Sequence, residues 1–108
     1  MKTHQFVLFT LAVFCLGCQS HFYKVKEDTL YFYLNRPEAQ NVQLRCSFDG
    51  FKAHPAKKTD NELWEVAVPY TSEFIYFYIV DDAVFLPPCR LKEKDDFGTE
   101  NCIFIPDL

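Results

Sequence analysis

The sequence predicts an all-β fold, a β-sandwich of about six to seven short antiparallel strands. Three observations carry that prediction. Apolar and polar residues alternate through Asn41–Phe48 and again through Glu62–Val68, a period of two that marks a strand with one buried face. Turn residues interrupt the apolar runs at the roughly eight-to-twelve-residue spacing of sandwich strands. No segment beyond the first twenty residues combines helical periodicity with capping residues. Composition agrees. Twelve Phe, six Tyr and one Trp in 108 residues supply far more apolar surface than a disordered chain carries. Three Gly exclude collagen-like and Gly-rich repeats. The length allows one domain and excludes a multi-domain enzyme.

The first element is a targeting segment. Lys2 precedes Phe6–Gly17, in which Thr10 alone is polar. That run has the length of a secretion-signal core and is too short to cross a bilayer core of about 30 Å. Residues 1–17 are read as a signal peptide. Cys15-Leu16-Gly17-Cys18 resembles the lipobox of bacterial lipoproteins, where small residues precede a Cys that becomes lipidated and N-terminal. Gly17 and Cys18 match, whereas Cys15 stands where Leu is usual and Leu16 is bulky for its place. The resemblance implies export to a bacterial cell envelope and a membrane anchor through lipidation of Cys18. Cleavage without lipidation, giving a soluble secreted protein, is the alternative. Residues 18–28 then read as a lipidated polar tether and residues 29–108 as the domain.

The strands follow in order. Leu30–Leu34 is the first, closed by Asn35-Arg36-Pro37-Glu38. In Asn41–Phe48 the residues Val42, Leu44, Cys46 and Phe48 share an inner face, with Gln43, Arg45 and Ser47 outside. Asp49-Gly50 is a turn, and Phe51–Asp60 reads as an irregular loop. Trp64, Val66 and Val68 form the inner side of the next strand, and Trp64 belongs to the core. Phe74–Val80 is apolar on both faces, with Tyr76 and Tyr78 opposite Ile75, Phe77 and Ile79. Either something covers that second face or it is an exposed apolar patch, and such patches usually mark an interaction site. Ala83–Leu86 is a short strand, Arg90–Thr99 a charged loop, and Cys102–Ile105 the last strand.

Charge and cysteine narrow the chemistry. The formal net charge is −4, and loss of Lys2 makes it more negative. Lys57-Lys58 and Arg90/Lys92/Lys94 are interleaved with or followed by acids, so the basic footprint of a nucleic-acid binder is missing. Export makes disulfides permissible. Cys46, Cys89 and Cys102 suggest one disulfide and one buried thiol. Cys89–Cys102 would close a fourteen-residue segment, worth about 3 kcal/mol in the loop-entropy model. Pairing of Cys46 with either partner stays open. No Cys has metal-ligand spacing and His21 and His54 are isolated, so no metal or cofactor is expected. Asp81-Asp82 and Asp95-Asp96 are sequence neighbours, which point to opposite sides of a strand and do not make a carboxylate pair by themselves. With no nucleophile–His spacing and no phosphate loop, the chain reads as a non-enzyme.

Four motifs then converge. Val42–Phe51, ending Phe48-Asp49-Gly50-Phe51, is similar to a strand closing in Phe-Asn-Gly-Trp. Leu63-Trp64-Glu65-Val66 is similar to a Trp-x-Val strand. Tyr76-Phe77-Tyr78-Ile79-Val80-Asp81-Asp82 is similar to Tyr-Lys-Phe-x-Val-Asp-Gly, and Phe97-Gly98-Thr99-Glu100-Asn101 to Leu-Gly-Thr-x-Asn. In this order they resemble the early-set, immunoglobulin-like domain of carbohydrate-binding module family 48 and the glycogen-binding domain of the AMP-activated protein kinase beta subunit. The resemblance implies an immunoglobulin-like sandwich that binds an α-glucan without catalysis.

It also implies site residues. Phe51 takes the first stacking position, and Phe77 replaces the family's Lys. The second aromatic position falls on Val84, with Phe85 next to it. Phe97, Thr99 and Asn101 keep the loop. Each has a structural role to weigh against the sugar role. Phe97 suits a plug at the sandwich end, Phe85 suits core, and Asn101 suits a loop cap. The expected function is a lipid-anchored module binding a glycogen-like α-glucan. The alternative is an envelope adaptor or structural lipoprotein with a decayed sugar site, binding protein through the Ile75/Phe77/Ile79 face.

Overall fold

A computed structural model describes residues 20–107. The signal peptide at 1–17 and the lipidation position Cys18 lie outside the described residues. Among the described residues ten strands run in chain order: β1 His21–Lys26, β2 Thr29–Leu34, β3 Val42–Cys46, β4 Ala53–Pro55, β5 Lys57–Lys58, β6 Trp64–Pro69, β7 Phe74–Val80, β8 Ala83–Phe85, β9 Lys92–Lys94 and β10 Glu100–Phe104. All pairings are antiparallel. One sheet has the order β1-β2-β6-β5. The other has β4-β3-β7-β10-β9, with β8 also pairing β7. β10 takes β7 at Phe74–Tyr76 and β8 takes it at Tyr78–Val80.

The two sheets face each other across one core. Alternation decides which side chains enter it. Leu30, Phe32 and Leu34 meet Trp64, Val66 and Val68 from the first sheet. Val42, Leu44, Cys46, Phe74, Tyr76, Tyr78, Val80, Cys102 and Phe104 come from the second. Each fully buried aliphatic or aromatic side chain here contributes about 1.5–3 kcal/mol. Phe32 is the hub, with the rings of His21, Tyr23, Phe74, Tyr76 and Phe104 within 6.4 Å of its own. Trp64 Nε1 donates to the Arg36 carbonyl at 2.9 Å, so its polar edge is satisfied at the core margin.

Four strands exceed the sequence expectation, and each is an outer strand. His21–Lys26, read as tether, instead pairs residue by residue with β2. The reason lies in His21. Its ring stacks on Phe32 with centroids 5.7 Å apart and shares a 3.0 Å hydrogen bond with the buried Tyr78 hydroxyl. The Phe51–Asp60 loop contains β4 and β5, which step from one sheet edge to the other across Ala56, whose N–H donates to the Val42 carbonyl. β9 occupies part of the charged Arg90–Thr99 loop. Phe48 leaves the inner row because the chain turns into a 3-10 turn at Ser47–Asp49, where the alternation stops. It is part-exposed and packs edge-on to Phe74.

Cys89 and Cys102 are joined by a disulfide, and Cys46 is a buried free thiol. Burial, with a lesser contribution from the Asp49 charge, pushes the Cys46 thiol up to about 12.

Candidate functional site

The outward face of the β4-β3-β7-β10 sheet gathers the residues of interest. Register sets its rows. Ala53 pairs Arg45, and Arg45 pairs Phe77. Pro55 pairs Gln43, Gln43 pairs Ile79, and Ile79 pairs Val84. Ile75 pairs Ile103. The strip is therefore apolar along β7 and β10 and polar along β3.

Phe51 reaches this face from the end of the Ser47–Asp49 turn. Gly50 closes the turn at φ 75, and Phe51 itself follows at φ 64. That left-handed backbone is uncommon for a residue with a bulky side chain. Its surroundings hold it there. Phe51 N–H donates to the Cys46 carbonyl at 2.8 Å, and Arg45 donates to the Phe51 carbonyl at 3.1 Å. The Asp49 carboxylate accepts from Lys52 N–H at 3.2 Å and bonds His54 Nε2 at 2.7 Å. Desolvation raises its pKa, but the hydrogen bonds from His54 and Lys52 and their charges together outweigh this and hold it below the usual range. Thus fixed, the Phe51 ring stacks on Phe77 with centroids 5.6 Å apart and planes 25° from parallel.

Arg45 is the residue that sequence reasoning left out. It stands opposite Phe77 in the ladder. Its guanidinium is oriented by two hydrogen bonds to Gln43 Oε1, at 3.3 and 3.0 Å, besides the one to Phe51. The signal was available, since Gln43 and Arg45 alternate onto the wet face of their strand. An Arg and a Gln so placed present oriented hydrogen-bonding groups on the outer face beside Phe77.

The other expected residues divide. Asn101 sits on β10 just before Cys102, the partner of Tyr76, and is buried at 6% exposure. Thr99 is exposed in the β9–β10 turn. Asp95 builds that turn by accepting from the Phe97 and Thr99 N–H groups at 2.9 and 3.0 Å. Phe97, at 93% exposed, projects from the turn and plugs nothing. Phe85 is placed on the other side of the sheet. It pairs with inward-facing Tyr78 and packs against the core, with the Arg36 guanidinium 4.5 Å over its ring. Its neighbour Val84 takes the outward position, 68% exposed. Phe51 and Phe77 are thus brought together with Arg45 and Gln43, and Phe85 is not among them.

The paired acids have structural duties. Asp81 and Asp82 form the β7–β8 turn, both at positive φ. The Asp81 carboxylate accepts from Gln40 and Asn41 N–H, each at 2.9 Å. Among the described residues no three His, Cys, Asp or Glu side chains converge. No family model matches the chain, and no curated protein matches its sequence.

Proposed function

We propose that the outward face of the six-stranded sheet binds a polysaccharide of the α-glucan class, without catalysis, in an exported and lipid-anchored protein. The observation that carries this reading is the Phe51–Phe77 stack bordered by the oriented Arg45–Gln43 pair. A pyranose presents an apolar face and a rim of hydroxyls. An aromatic plate takes the face, and a guanidinium with several fixed donors takes the rim. Positioning before binding lowers the ordering cost of the complex.

Affinity electrophoresis of the purified protein through gels containing glycogen or amylopectin tests the proposal. Retardation is expected, and it should be lost in Phe77→Ala and reduced in Arg45→Ala. Migration unaffected by every α-glucan would remove the reading.

The Ile103–Ile75 and Ile79–Val84 pairs flanking Phe77 favour a second reading. They continue an apolar strip beyond what one sugar ring covers, as a protein partner would need. In that case Ile75→Asp and Val84→Asp would release a bound envelope protein while Arg45→Ala would not.

A further inference from the structure

Strand β1 carries an arrangement that the glucan face does not use. Among the described residues β1 pairs only with β2. Its groove-facing side chains are poorly covered, Tyr23 being 43% and Val25 45% exposed. The sheets part at this edge and leave an open groove of about 420 Å³, lined by His21, Tyr23, Tyr76, Arg90 and Phe104 among others. Beyond Tyr23 it continues into a second hollow of about 350 Å³ bounded by Val25 and Tyr70. Lys24 and Lys26 alternate onto the other face of the same strand edge, exposed, with Lys24 Nζ 5.6 Å over the Tyr33 ring, in a chain of net charge −4. Glu27 and Asp28, at the β1–β2 turn, are the acids beside them, and Asp107, which accepts from the Tyr70 hydroxyl, lines the second hollow.

Chain length indicates what covers this edge. β1 starts at His21, three residues after Cys18. Three extended residues reach about 10 Å, about one Debye length at 0.1 M salt. A lipid on Cys18 therefore leaves no spacer to carry β1 away from the bilayer. We propose that the β1 edge docks on the membrane interface. Tyr23 and Val25 enter the headgroup region, and Lys24, Lys26 and Arg90 face anionic lipid. The proposal rests on the reading of Cys18 as a lipid anchor. A Tyr, apolar with one polar tip, suits that depth. Each basic group near an anionic leaflet adds about fivefold to binding.

The test uses the full chain, expressed with its leader, extracted and reconstituted into phosphatidylethanolamine–phosphatidylglycerol vesicles. Val25→Trp reports the β1 edge, and Lys57→Trp reports the opposite outer strand β5, both corrected for Trp64. The mass of the N-terminal peptide reports lipidation. The expected result is a lipidated Cys18, with Val25→Trp emission blue-shifted and quenched by brominated acyl chains. Lys57→Trp should be unaffected. Replacing phosphatidylglycerol by phosphatidylcholine should weaken the quenching. A lipidated protein whose Val25→Trp escapes quenching overturns the docking and leaves the anchor standing. An unmodified Cys18 overturns the anchor and the docking with it. A doubled mass of extracted protein with unquenched Val25→Trp assigns the edge to a second copy and also overturns the proposal. Should Val25→Trp fail to fold, Tyr23→Trp, on the same face of β1, gives the same readout.

Discussion

Phe51 combines a strained backbone with an unshared duty. Its φ of 64 costs a non-glycine residue about 1–2 kcal/mol, and stacking on Phe77 offsets about 0.5–1.5 kcal/mol. Phe51→Gly removes both terms. Its stability in urea is expected to stay within about 1 kcal/mol of the parent, while retardation by glycogen is lost. A fall of several kcal/mol would mark the ring as core instead. His21 gives a pH prediction. Burial lowers its pKa from 6.5 to about 4, so the neutral ring is the folded form. Its contribution is complete above pH 6.5, falls as pH drops toward 4, and amounts to at most about 3 kcal/mol. Urea midpoints measured across that window should fall, and His21→Gln should flatten the slope. At this scale the sequence was legible where alternation held. Gln43 and Arg45 could be assigned to the wet face from their phase alone. Phe85 could not, because a three-residue strand after a tight turn has too little periodicity to fix its side. His21 was hidden because its partner, Tyr78, is 57 residues away.

Among elements, the split between legible and hidden follows position in the sheet. β2, β3, β6, β7, β8 and β10 were readable, because most bury one face and leave a period of two. β1, β4, β5 and β9 are outer strands of their sheets, as is β8, whose short apolar run made it the one readable edge. They bury little, and their Lys and Pro residues are the kind that keep an edge from pairing with other chains. Those same residues read as loop. The Cys89–Cys102 bond ties the segment after β8 to β10 over a sequence separation of 13. Reducing it should lower stability by about 3 kcal/mol, seen as a shift of the thermal midpoint. The Cys46 thiol should stay unreactive toward an aromatic disulfide reagent until the protein unfolds, since it is buried and its pKa stands near 12.

For the molecule as a whole, the two sheets meet at Phe32. Five rings surround it, and Phe32→Ala is expected to cost about 3–5 kcal/mol. Since a small domain holds about 5–15 kcal/mol in all, circular dichroism of that variant should show a largely unfolded population at physiological temperature. A variant that melted like the parent would mean that the sheets do not depend on that hub. The sandwich class was legible because one alternating pattern served both sheets. The pairing order, and the open seam beside β1, were not. They depend on which strands lie at the edges, and that is decided by contacts far apart in the chain.

Cys46 and Cys102 flank Tyr76 from opposite sides in one row, two strand spacings or roughly 10 Å apart. A disulfide needs Cα atoms within about 7 Å, so the finished sheet forbids that pair. The unfolded chain does not. Among themselves Cys46, Cys89 and Cys102 allow three single bonds, and the native one closes the shortest loop, which favours its early formation. Refolding in air should nonetheless pass through mispaired species, visible on non-reducing gels and cleared by glutathione. Cys46→Ala should run directly to one product. The buried thiol thus governs how quickly the chain matures under oxidising conditions, by offering a wrong partner until the strands on either side of Tyr76 are in place.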